Sequence, residues 1–137
     1  GGEWGISENT NAASVCTGEF LMFSDHDDFL EPNALYEMVQ AINEDIRTDI
    51  VYTDEDLISS DGSVHSSPRF KPDFNFDFLR SINYICHIFL VRKALIQEVG
   101  MLRPEYDGAQ DYDLYCGVAR KPSTSPMCRR FCTLESP

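Results

Sequence analysis

Three stretches of the sequence predict an α/β domain. Phe20-Leu21-Met22-Phe23 is an apolar run of strand length that breaks into Ser24-Asp25-His26-Asp27-Asp28. That is the pattern of a buried strand whose carboxyl end is released into a polar loop. Leu35, Met38, Val39 and Ile42 then recur at three- and four-residue spacing, which gives a helix one buried face. Asp49-Ile50-Val51-Tyr52-Thr53 is a second strand-like run, and it too ends in acids, Asp54, Glu55 and Asp56. Strand, helix and strand with a crossover of this length predict a parallel arrangement. Both acidic clusters then fall at one carboxyl edge, where open α/β sheets bind their ligands.

The whole chain sets the bounds. Its 137 residues are enough for one domain with a real core. A formal charge of −12 argues against nucleic acid or an anionic membrane surface as a broad partner. An acidic chain that handles an anionic substrate needs a divalent cation or a few placed basic groups. The five cysteines, Cys16, Cys86, Cys116, Cys128 and Cys132, are odd in number and form no CxxC pair. They suit a reducing, cytoplasmic compartment better than a disulfide framework or a zinc site. No apolar run is long enough to be a transmembrane segment. The chain opens on Gly1-Gly2-Glu3-Trp4-Gly5 with no initiator Met and reads as a piece of something longer.

In order, residues 7–16 read as a short helix started by Ser7 and stopped by Gly18, leading into a strand over 19–24. Glu31-Pro32-Asn33 opens the second helix, with Pro32 suited to its first turn. Residues 57–77 are punctuated by Asp61-Gly62, Pro68 and Pro72 and read as a turn followed by an irregular loop. Phe70, Phe74, Phe76 and Phe78 are expected to pack this loop onto the domain. Residues 83–91 are the most strand-like run in the chain. A short helix over 92–99 stops at Gly100, and another runs from the acids Asp111 and Asp113 to about Ala119. Residues 120–137 differ: three prolines, Arg129-Arg130 and little periodicity, with four Lys/Arg against Glu135 alone. They read as a disordered or loosely attached tail.

Asp25-His26-Asp27 followed by Asp28 has the form D-x-D-D. Two carboxylates two apart at a strand end can divide labour, one on a hard cation that bridges phosphate oxygens and one on a ligand hydroxyl. Asp27 is the expected metal ligand, Asp25 the sugar or ribose contact, and Asp28 a metal or structural partner. The blander reading is an acidic loop that caps the next helix. His26, flanked by carboxylates, reads as charge-compensating. Asp111 and Asp113 at a helix start complement the helix dipole, or Asp111 serves as general base near a metal site. His87 between Cys86 and Ile88 reads first as a satisfied core histidine, although the end of this strand could reach the site. Arg69 and Lys71 contact phosphate or offset Asp73 and Asp77. Trp4 and the loop phenylalanines read chiefly as packing.

Seven words occur in the order seen in bacterial family 2 glycosyltransferases of the GT-A fold, which the chain resembles from about Gly5 to Leu114. They are Gly5-Ile6-Ser7 with Asn11-Ala12-Ala13, Thr17-Gly18-Glu19-Phe20, Asp25-His26-Asp27-Asp28, Tyr52-Thr53-Asp54-Glu55-Asp56, Phe70-Lys71-Pro72-Asp73, Asn83-Tyr84-Ile85-Cys86-His87 and Gln110-Asp111-Tyr112-Asp113-Leu114. The resemblance implies a mixed sheet flanked by helices and an inverting transfer from a nucleotide-diphosphate sugar, UDP-linked above all, to an acceptor hydroxyl. It implies Mn²⁺ or Mg²⁺ on Asp25 and Asp27, Asp111 as catalytic base, and Asn11 in the segment that approaches the nucleotide. The acceptor implied is a glycan or lipid-linked sugar of polysaccharide or surface-glycan synthesis, at the cytoplasmic face of the membrane in the parent. On this reading residues 1–119 are a partial catalytic domain lacking its N-terminal nucleotide-binding strand, and 120–137 depart from the family pattern. Two alternatives stay open. A haloacid-dehalogenase type phosphohydrolase would use Asp25 as nucleophile and Asp27 as acid/base, although Phe29 stands where that class places a small or β-branched residue. The other is a GT-A fragment without turnover.

Overall fold

The computed structural model describes residues 12–25, 27–100, 110–119, 127–130 and 134–136. After a helical turn at 12–15 come β1 (Phe20–Phe23), β2 (Phe29–Leu30), α1 (Ala34–Glu44), β3 (Ile50–Thr53), β4 (Glu55–Ile58), β5 (His65–Arg69), α2 (Phe76–Ser81), β6 (Phe89–Arg92), α3 (Lys93–Val99), α4 (Gln110–Ala119), β7 (Met127–Arg130) and β8 (Leu134–Ser136). Two four-stranded sheets result, ordered β1-β6-β3-β7 and β2-β8-β4-β5.

The first sheet is mixed. β1 and β3 run the same way, as the crossover predicts, but antiparallel β6 lies between them, so they are not paired neighbours. Phe23 and Tyr52 both face Phe89 across the ladder, which puts the carboxyl ends of β1 and β3 at the edge where β6 begins. Side chains alternate along these central strands. Ile50, Tyr52, Phe89 and Val91 join one apolar cluster with Leu95, Ile96 and Leu114 from the helices. Val51 and Leu90 turn to the other face and meet α1. Burial on both faces holds the sheet between two apolar layers, as the alternation of strand side chains requires.

At the opposite edge one cation ties the strand starts together. The Arg92 guanidinium donates to Asp49 at 2.7 Å and to the Ile46 and Thr48 carbonyls, and pairs with Glu19. It also lies 4.5 Å from the centre of the Phe20 ring, a cation–π contact.

Several expectations are corrected here. α1 buries Ala34, Met38 and Ala41, whereas Leu35 and Val39 are 56% and 52% exposed. The small alanines face the sheet at helical spacing, so the buried stripe is rotated from the one the large residues suggest. The 57–77 segment contains β5, which pairs with β4 to make a hairpin, and then α2. β5 is an exposed edge strand, the place in a sheet that accommodates Pro68. Of the four phenylalanines, Phe74 packs against the main cluster and Phe78 stacks on Tyr84, while Phe70 is largely exposed. The strand expected over 83–91 begins only at Phe89. Before it, the Ile85 carbonyl accepts from Lys71 Nζ at 2.5 Å, and the Cys86 carbonyl from Tyr115 at 3.3 Å. Cys86 itself sits at φ 45°. Side-chain partners there compete with a sheet ladder for the backbone. The helix ending at Gly100 is as expected, with Gly100 at φ 91° in the left-handed stop.

The segment expected to be a loose tail supplies a strand to each sheet: β7 lies parallel to β3, and β8 between β2 and β4. The start of the helix expected over 7–16 lies outside the described residues.

Candidate functional site

Once β1 ends at Phe23, the chain turns with Ser24 Oγ donating to the Asp25 carbonyl at 3.1 Å. Asp27 is exposed. Asp25 and Asp28 converge on His87, which arrives from the other side because β6 runs antiparallel to β1. His87 Nδ1 lies 3.1 Å from Asp25 Oδ2 and 3.2 Å from Asp28 Oδ2. The three donor atoms all fall within 4.8 Å of one another.

Asp28 is the unusual member. Its side chain is 1% exposed, and Oδ2 is buried with no hydrogen bond of its own. His87 Nδ1 hydrogen-bonds Asp25 and lies close enough to Asp28 for charge attraction. Burial pushes the Asp28 carboxyl above its ordinary range; His87 partly offsets this, and the charges of Asp25 and Asp27 add to it. A buried carboxylate lacking a hydrogen bond is costly in a metal-free fold, and a cation is one way to relieve that cost. Two carboxylates and an imidazole make a plausible set for a divalent ion.

Asp25 and His87 open onto a cleft of about 730 Å³ along β1, whose far wall is Leu114 and Tyr115 of α4. α4 is docked by Tyr115 on the Cys86 carbonyl and by Tyr112 on the Leu79 carbonyl, at 2.7 Å. Asp111 is the second residue of this helix, so its backbone stands one turn from the cleft wall. Its side chain, together with Asn11, His26 and Trp4, lies outside the described residues.

The second acidic cluster reaches the expected edge but is engaged in structural contacts. Asp54 accepts the Lys71 backbone N–H at 2.6 Å and is buried. Glu55 pairs with Lys71 Nζ at 2.8 Å and with Arg69 at 3.4 Å. Asp56 meets His65 at 3.0 Å. Lys71 and Arg69 therefore hold Glu55, where a contact to phosphate or to Asp73 and Asp77 was expected. Of the two readings of His87, the structure shows the one in which it reaches the site, as a half-buried member of the cluster. An antiparallel β6 was the missing signal, since it delivers its N-terminal approach to the carboxyl edge of β1.

The layered mixed sheet with an acidic cluster at its strand ends defines the class: it is the GT-A glycosyltransferase fold. The structure of S. aureus TarS residues 1–349 superposes with a TM-score of 0.65 at 16% identity, covering 96% of this chain and 39% of that one. A family model described as glycosyl transferase family 2 matches residues 2–100, and the chain belongs to that family. Among relatives, an uncharacterized protein of Sinorhizobium fredii is 43% identical over 110 residues, which is 80% of this chain and 12% of the relative. The O-antigen biosynthesis protein RfbC of Myxococcus xanthus is 38% identical over 111 residues, 81% of this chain and 9% of the relative. The chain thus spans about a tenth of the length of these relatives. Among the described residues no helix is long and apolar enough to cross a membrane.

Proposed function

We propose that this chain is catalytic-domain sequence of an inverting glycosyltransferase. Its donor is a nucleotide-diphosphate sugar, UDP-linked, and its acceptor a hydroxyl of a growing polysaccharide or lipid-linked surface glycan. The observation that carries the reading is the Asp25–Asp28–His87 cluster at the mouth of the β1 cleft in a family 2 chain. RfbC, named for O-antigen biosynthesis, supports the acceptor class.

Asp25, Asp27 and Asp28 form the donor-side acidic face, with Asp27 and Asp25 holding Mn²⁺ or Mg²⁺ and Asn11 against the nucleotide. A bound divalent cation supplies neutralisation of charge on the departing diphosphate. Asp111 takes the proton from the acceptor hydroxyl as that oxygen bonds to the anomeric carbon from the face opposite the leaving group. The bond to the diphosphate oxygen breaks with its electron pair leaving on the diphosphate, which inverts the anomeric centre. Leu114 and Tyr115 give the cleft an apolar wall on the α4 side.

The test is a titration of UDP with and without Mn²⁺ against the wild type, Asp27→Ala and Asp111→Asn. The expected result is metal-dependent binding, lost in Asp27→Ala and kept in Asp111→Asn, with transfer abolished in both. Binding without turnover in the wild type would assign a non-catalytic fragment. Phosphate release from a generic phosphoester, abolished by Asp25→Ala, would overturn the transferase reading.

A further inference from the structure

We infer that His87 is a direct nitrogen ligand of the divalent cation, completing with Asp25 and buried Asp28 a site that the D-x-D pair alone does not describe. The inference rests on the proposed function for why a cation binds here, and adds which side chains of this chain hold it.

Two independent observations carry it. The first is the spacing of the donors: His87 Nδ1 lies 3.1 Å from one carboxylate oxygen and 3.2 Å from the other. Donors at right angles around an ion with ligand distances of about 2.1 Å are about 3 Å apart, so the three atoms need little movement to surround one. The second is Asp28 Oδ2, which faces this nitrogen from a side chain that is 1% exposed yet makes no hydrogen bond. The His87 Nδ1 hydrogen bond goes to Asp25 Oδ2 at 3.1 Å, so the buried Asp28 oxygen is left for a cation to satisfy. Neighbouring side chains define how His87 is presented. Lys71 holds the Ile85 carbonyl and Tyr115 the Cys86 carbonyl on the residues just before it. The histidine therefore stands on a pinned segment, as a ligand residue must if its site is to be preorganised.

The chemical consequence concerns metal choice. Magnesium prefers oxygen ligands and retains water, whereas imidazole suits transition metals. A site with one nitrogen and two carboxylates favours Mn²⁺, and Co²⁺ more strongly, over Mg²⁺.

The experiment is Mn²⁺ binding to the nucleotide-free full chain, followed by electron paramagnetic resonance, for wild type, His87→Ala and Asp28→Asn. Substoichiometric Mn²⁺ should selectively broaden the His87 ring protons of the wild type in the NMR spectrum. His87→Ala and Asp28→Asn should each weaken Mn²⁺ binding by roughly 10- to 100-fold. His87→Asp should lower the Co²⁺-to-Mg²⁺ affinity ratio. The role would be overturned by His87→Ala binding Mn²⁺ as tightly as wild type or more tightly, because loss of a mere counter-charge strengthens cation binding. Unbroadened His87 protons in a wild type that binds Mn²⁺ would overturn it too, and this readout needs no variant to fold. Absence of Mn²⁺ binding without nucleotide would also sink it. Metal-dependent UDP binding in the same protein would then leave the transferase reading standing.

Discussion

Lys71→Met tests the buried ion pair that ties β4 to the segment before β6. Lys71 is buried, and its ammonium joins three parts of the chain: Glu55 on β4 at 2.8 Å, the Ile85 carbonyl at 2.5 Å, and its own segment after β5. Methionine keeps most of the side-chain volume and removes the charge. Breaking a buried ion pair from one side costs about 3–5 kcal/mol, because the other charge stays behind. Arg69 remains 3.4 Å from Glu55, but its guanidinium side is 63% exposed, so it offsets less than about 1 kcal/mol. The Ile85 carbonyl also loses a donor, which argues against the bottom of the range. The expected loss is therefore about 3–4 kcal/mol, or roughly 10 °C in melting temperature for a chain of this size. Urea denaturation followed by circular dichroism measures it. Glu55→Leu added to Lys71→Met removes the stranded charge and should recover more than half of the loss. A single-variant cost below about 1 kcal/mol, or a double variant as damaged as the two singles summed, would refute the buried-pair argument.

Two further outcomes concern carboxylates. Asp61 accepts from Ser59 and Ser63 at the hairpin turn, and these bonds pull its carboxyl down to about 2. The stabilisation is fully present above the ordinary value of 3.8 and is lost as pH falls through about 2. Carbon-detected NMR of the Asp61 carboxyl should show this midpoint, and Ser59→Ala should move it upward. Asp28 has the opposite sign: burial raises its folded pKa, so its ionisation subtracts from stability as pH rises above the ordinary carboxylate value. Metal-free Asp28→Asn should melt higher than wild type near neutral pH, with the gap closing as pH falls toward 3.8. A lower melting temperature for Asp28→Asn at neutral pH would contradict that sign.

How much of this was legible depended on whether a residue's partner lay near it in sequence. β1, β3, the two helices after β6 and the Gly100 stop follow from local periodicity and turn chemistry. The converging carboxyl ends of β1 and β3 follow from the crossover between them. Harder cases needed a distant partner. Lys71 and Glu55 are sixteen residues apart, and nothing local distinguishes a buried pair from two loop charges. His87 and Asp25 are separated by sixty-two, so a histidine in an apolar run reads first as core, and only an antiparallel β6 decides that it reaches the site. The buried stripe of α1 was misjudged for a simpler reason: Ala34 and Ala41 carry little hydrophobic signal, yet small side chains let a helix sit close to a sheet. Strands β7 and β8 sit in a segment whose prolines and arginines resist a strand reading. Pairing with β3 and β4 supplies what local propensity lacks.

β3 and β4, one in each sheet, are joined by a single residue. β3 ends at Thr53 and β4 starts at Glu55, and Asp54 between them is buried and holds the Lys71 backbone. One intervening residue leaves the backbone few torsions with which to absorb an extra residue. The hairpin tip around Asp61 and Gly62 is by contrast wholly exposed. Length variation should therefore be tolerated at that tip and rejected at Asp54. For engineering, the tip is where a tag or reporter loop can be spliced in, while the Asp54 joint acts as a ruler that keeps the hairpin in step with the core.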